Sequence, residues 1–140
     1  MTDRRGFTLV ELIIVVLIVS ILAAIAQPKL SDVLVKARAA EAYADMEVVR
    51  VAAHEFWANN DGWPPEASQG VVPTGLDAYL PANFSLSKEG YELDFDNWGG
   101  SPFEAGITLI TTDASFGLNL LNILPPPKWS AGNKYSWVIE

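Results

Sequence analysis

Residues 5–28 read RGFTLVELIIVVLIVSILAAIAQP, and this run decides the architecture. Between Phe7 and Ala26 a single charge, Glu11, stands in twenty positions. As a helix the run is about 30 Å long at about 1.5 Å per residue, which matches the hydrocarbon thickness of a bilayer. Arg4 and Arg5 precede it and favour a cytoplasmic N-terminus, but Lys29, Lys36 and Arg38 follow, so flanking charge orients the segment only weakly.

Glu11 is the anomaly, because an ionised carboxylate inside hydrocarbon costs a few kcal/mol unless it reaches water or a partner. One reading places it close enough to the helix start to be hydrated and favoured by the helix dipole. Another pairs it with a cation. Cleavage between Gly6 and Phe7 creates an α-ammonium one turn from Glu11, and the ammonium of a neighbouring subunit would meet the carboxylate and fix axial register. The aliphatic remainder would then associate laterally. The same residues also fit a secretory signal peptide, a short basic region and an apolar run ending at Ala24, Ile25 and Ala26 before Gln27, which would release a secreted or membrane-tethered binding module. Against it stand the early Glu11 and an amphipathic helix that runs on past the cut.

The string Arg5, Gly6, Phe7, Thr8, Leu9, Val10, Glu11, Leu12, Ile13 resembles the leader and processing site of the type IV pilin and type II secretion pseudopilin superfamily. A short basic leader ends in Gly, the mature chain opens with Phe, Glu stands fifth from Phe7, aliphatic residues follow, and Pro28 comes after them. The resemblance implies that a prepilin peptidase cuts after Gly6 and N-methylates Phe7. It implies further that Glu11 contacts the Phe7 amine of a neighbour, with Thr8 and Leu9 in the same assembly segment, and that Pro28 marks a bend or a melted stretch. It also implies a single-pass bacterial inner-membrane precursor with its head outside the cytoplasm, which becomes a periplasmic or cell-surface filament. Its partners would be lipid, the peptidase, an inner-membrane assembly platform and other pilin-like subunits.

Beyond Pro28, the residues Leu30, Val33, Leu34, Ala37, Ala40, Ala44, Val48, Val51 and Ala52 recur at helical spacing, so an amphipathic helix is expected to about Asn59, with Glu41 the exception on its apolar stripe. Asn59, Asn60, Asp61 and Gly62 supply turn chemistry, and Trp63, Pro64 and Pro65 open a Pro- and Gly-rich connection. A short helix is expected over Gly75 to Leu80. Strands are expected where Tyr91, Leu93 and Phe95 alternate with Glu92, Asp94 and Asp96, carboxylates outward, and at Ile107 to Thr112 and Tyr135 to Ile139. Leu118 to Leu124 reads as a short helix stopped by Pro125 to Pro127. The sum is an α+β, pilin-like fold: a leader at 1–6, a membrane-spanning assembly helix at 7–28, an amphipathic helix at 29–59, and a head at 60–140 in which the helix packs on three or four antiparallel strands.

The head carries ten Asp or Glu against Lys88, Lys128 and Lys134, a balance that repels nucleic acid. The absence of cysteine excludes disulfides, thiolate metal sites and a cysteine nucleophile. Parts of the head resemble the major pseudopilins: Trp63, Pro64 and Pro65, then Gly75 to Leu80, then Asp96, Asn97, Trp98, Gly99, Pro102 and Phe103. The acidic calcium-binding loop that this resemblance implies near the C-terminus has no counterpart after Phe103. Asp94, Asp96 and Asn97 are the candidate oxygen ligands for a calcium ion, set against a solvated strand face followed by a turn. His54 reads as a surface residue, and the tryptophans as core and sheet-packing residues or as an exposed cluster for a glycan or protein partner. No nucleophile elbow or phosphate loop is present, and no enzyme or cofactor is expected.

Overall fold

The computed structural model describes residues 7–100 and 102–140. Helix α1 spans Leu9–Asn60. The chain divides into two compact units, the first ending at Leu34 and the second covering Val35–Glu140, so the latter part of α1 belongs with the head.

In the first unit every side chain from Phe7 to Leu34 is exposed. The Ser20 hydroxyl donates to the Leu17 carbonyl at 2.8 Å, the local solution that lets a hydroxyl sit among aliphatic residues. Of the bend or melted stretch expected at Pro28, the chain shows no melting, because the helix continues through it. Proline removes the amide that would reach the Ala24 carbonyl, a cost of about 3 kcal/mol in a helix interior. Helical residues on both sides hold the segment, since propagation is favourable once a helix is nucleated.

In the second unit α1 buries Ala39, Ala42, Met46, Val49, Ala52 and Ala53, with Val35, Tyr43 and Phe56 packed at the margin. The expected stripe is therefore corrected. Of its members only Ala52 is buried; Leu30, Val33, Leu34 and Val51 are more than half exposed, Ala37, Ala40 and Ala44 are exposed and Val48 is half-buried. The helix carries two apolar stripes about half a turn apart. The sheet takes the one that brings Met46, Tyr43 and Phe56, whose bulk fills the core, beside alanines that let backbone approach backbone. Glu41 lies on the exposed side. Asp61 takes the left-handed conformation (φ 54°) and its amide reaches the Trp57 carbonyl at 2.9 Å, closing the helix.

The head sheet has five antiparallel strands where three or four were expected: β1 Ser87–Lys88, β2 Tyr91–Asn97, β3 Ala105–Ile110, β4 Lys128–Ala131 and β5 Lys134–Val138, in the order β1-β2-β3-β5-β4. The two additions are the short edges β1 and β4, too brief for alternation to reveal. Leu93, Phe95, Ile107, Leu109, Tyr135 and Trp137 form the inner face and join α1 in one core. A 3-10 turn, Leu76–Ala78, stands within the expected short helix. Helix α2, Ala114–Ile123, starts before the expected Leu118 because Asp113 caps it, accepting from the Phe116 amide at 3.0 Å. The Tyr91 hydroxyl donates to Asp45 at 2.6 Å and Lys88 lies 3.2 Å from the same carboxylate, tying the β1–β2 edge to α1.

Candidate functional site

At its start α1 is closed by two side chains that act reciprocally. Thr8 is the N-cap: its hydroxyl oxygen accepts from the Glu11 amide at 3.3 Å. Glu11 answers with Oε2, which accepts from the Thr8 amide at 2.9 Å and from the Thr8 hydroxyl at 2.6 Å. This capping box satisfies donors that no preceding turn can reach. The Thr-x-x-Glu spacing is visible in the sequence, although the charge of Glu11 alone does not disclose it. Among the described residues Oε1 of Glu11 has no hydrogen-bond partner, so the carboxylate can hold Thr8 with one oxygen and present the other outward.

Phe7 and Leu9 are about three-quarters exposed beside this box. Gly6 lies outside the described residues. Following the box, α1 is the one helix among the described residues long and apolar enough to cross a membrane, by length and composition. Isolated in water, such continuous apolar exposure is unfavourable; it fits lipid or the flanks of like helices.

In the head the β2 carboxylates lie on the outer face of the sheet as expected, but not all of them are solvated. Asp94 is only 8 % exposed, and its Oδ1 is buried without a hydrogen-bond partner. It stands in register with Thr108 and Ser136 on the outer face of the sheet. The Thr108 hydroxyl donates to Asp96, which leaves the Ser136 hydroxyl to donate to Thr108 at 2.7 Å. Asn97 is anchored at the end of β2: its side-chain amide donates to the Pro64 carbonyl at 2.8 Å and its backbone amide to Glu66 at 2.7 Å. The described residues hold no group of three or more carboxylates or imidazoles arranged for a metal ion.

Burial, then the neighbouring Asp96 and Glu66 charges, push the Asp94 carboxyl up to about 6. Burial likewise raises Asp96, against the opposing Thr108 hydrogen bond. A folded-state value above the unfolded one of about 3.9 means that the native state holds the proton longer, so stability falls as pH rises from about 4 to above 6. Asp94→Asn is expected to flatten that slope and to raise stability at pH 7.5 by about 1–2 kcal/mol, after allowance for solvent screening. Denaturant titrations at pH 4.5 and 7.5 check this; an unchanged slope overturns the assignment.

His54 departs from expectation, whereas the tryptophans divide between the two readings offered for them. His54 is half-buried, with Nδ1 2.9 Å from the Arg50 carbonyl and its ring edge-on to Trp63. Trp137 is the one fully buried tryptophan; Trp57, Trp98 and Trp129 are 46 %, 37 % and 39 % exposed.

Comparison with known proteins points to the N-terminal region. The prokaryotic N-terminal methylation motif matches residues 1–27. The type IV major pilin protein PilE1 of Neisseria gonorrhoeae is 40 % identical over 76 residues, 54 % of this chain and 36 % of the relative. A fimbrial protein of Neisseria meningitidis serogroup A is 38 % identical over 76 residues, 54 % of this chain and 45 % of the relative. The type IV major pilin protein PilA of Myxococcus xanthus is 31 % identical over 119 residues, 83 % of this chain and 53 % of the relative. The chain thus spans about half or less of the length of these relatives. No solved structure gives a significant match.

Proposed function

We infer that this chain, which belongs to the type IV pilin superfamily, is a structural subunit of a type IV pilus, cleaved after Gly6, N-methylated at Phe7 and polymerised through α1. The observation that carries this reading is the first unit, whose apolar side chains are exposed on every side of the helix behind a capped Glu11. Before assembly that surface suits the bacterial inner membrane, with the head outside the cytoplasm. In a filament it suits neighbouring helices, where buried apolar area favours each added subunit. The second stripe, Ala37, Ala40, Ala44 and Val51, extends the surface available to other subunits into the head's portion of α1.

The pilins among the relatives favour a pilus over a type II secretion pseudopilus. The role is structural rather than enzymatic; peptidase, motor and platform are separate proteins. Phe7 supplies the ammonium that meets the outward oxygen of Glu11 on a neighbour, and Leu9 lies in the same contact. Continuity of α1 across Ala26 and Gln27 favours this reading over release of a soluble binding module.

Intact mass and N-terminal sequencing of protein from membranes and from sheared cell-surface material test it. A chain that begins at N-methyl-Phe7 in both fractions is expected. A chain that begins at Gln27, or surface material that retains Met1, overturns the reading.

A further inference from the structure

Where α1 ends in the head, a cavity of about 330 Å³ is lined by His54, Trp57, Trp63, Glu104 and Glu140. That volume falls at the lower end of the range for small-ligand sites, about 300–1,000 Å³. The Trp57 and Trp63 rings lie 6.2 Å apart at 36°, and His54 meets Trp63 edge-on at 5.3 Å. Two indoles and an imidazole therefore line one space.

The polar groups around it are mostly acceptors. Trp63 Nε1 donates to Glu104 Oε2 at 3.2 Å, which fixes the indole and occupies its only N–H. His54 Nδ1 is 2.9 Å from a backbone carbonyl, so it carries the proton and donates outside the cavity. Backbone hydrogen bonds from Glu104 and Ala105 to the Glu140 carbonyl, at 2.8 and 3.2 Å, hold the two glutamates beside each other. Among the described residues neither carboxylate forms a salt bridge.

We propose that this cavity is a binding site for a small quaternary ammonium cation of the choline type. Aromatic faces attract cations through their quadrupoles, and two nearby carboxylates add to the same field. An anion would meet repulsion with few donors to offset it, and a neutral apolar ligand would desolvate two carboxylates without compensation. A primary ammonium is compact and strongly hydrated, so it gives up more on leaving water than a trimethylammonium group, whose charge is spread over methyls that pack on the rings. The two glutamates and one imidazole do not make a metal site.

The test titrates the full chain in a non-ionic maltoside detergent with choline chloride, read by tryptophan fluorescence and calorimetry. Ethanolamine and 3,3-dimethylbutan-1-ol, the uncharged isostere of choline, serve as comparators. Saturable choline binding, tighter than either comparator, is expected. Trp57→Ala and Glu104→Gln should each weaken it about fivefold, as loss of one cation-π or charge contact implies. Trp57 is 46 % exposed, so its replacement leaves the head folded, which circular dichroism verifies. Absence of saturation, equal binding of either comparator, or two variants that bind like the parent each overturns the proposal. A glycerophosphocholine arm distinguishes the source: binding as tight as choline assigns the site to lipid head groups, and choline alone assigns it to free solutes, both in support of the site.

Discussion

Cells that carry Glu11→Ala are expected to hold normal amounts of the chain in their membranes and to yield no sheared filaments. Glu11 does two things that can be separated. Its first, visible in the structure, is to close the capping box with Thr8, and loss of a cap costs about 0.5–2 kcal/mol. The second, proposed for the filament, is to neutralise the Phe7 ammonium of a neighbour. Removing one member of a buried ion pair leaves the other uncompensated, at a cost of about 3–5 kcal/mol. Even about 3 kcal/mol at each added subunit lowers the association constant more than a hundredfold, which abolishes growth.

Two further substitutions decide between these roles. Glu11→Gln keeps an acceptor for the Thr8 amide but discards the charge, so it should fail to assemble as Glu11→Ala does. Thr8→Ala discards the cap and keeps the charge, so it should assemble with reduced yield. Filament mass sheared from equal cell numbers, with immunoblots of the membrane fraction, reads all three. If Glu11→Gln assembles like the parent, the carboxylate serves the helix end alone and the pairing is wrong.

Much of this architecture was legible because the N-terminal run combines several constraints in one place: length, apolarity, a lone acid and a processing-site pattern. Nothing in a soluble core asks for all of them together. Strand β2 was visible through alternation and β3 and β5 as short apolar runs, though β3 and β5 begin earlier than the apolar residues suggested. What escaped was whichever choice depended on a partner surface. The α1 sequence offers two apolar stripes, and periodicity cannot say which one meets a sheet; the bulk of Met46, Tyr43 and Phe56 decides it in three dimensions. Asp94 fits an outward position by strand parity. It is on the outer face as expected, yet that face is itself closed over, so parity did not translate into hydration. The cavity beside Trp63 joins residues from α1, the following turn, the approach to β3 and the chain after β5, and no local pattern links them.

The second large effect is expected where helix α2 meets β5. Gly117 is buried on α2, and a Cβ built there would stand 2.1 Å from two ring carbons of Tyr135. Tyr135 is 3 % exposed and lies in the core, so its ring has little room to retreat. Two effects of opposite sign compete in Gly117→Ala. Replacement of a helix-interior glycine by alanine gains about 1 kcal/mol in helix propensity. Forcing atoms into a filled core costs about 1–3 kcal/mol, occasionally more. The clash is deep enough for the second to win, so Gly117→Ala should destabilise the chain by about 1–2 kcal/mol and Gly117→Val, with more bulk and a poorer propensity, by about 3 kcal/mol or more. Urea unfolding followed by tryptophan fluorescence measures both. The source of the cost is checked with Tyr135→Ala: in that background the alanine at 117 should lose its penalty and recover the propensity gain, giving a coupling of the opposite sign to the single effect. Stabilisation by Gly117→Ala in the parent chain would mean that α2 does not sit against Tyr135 as the structure has it.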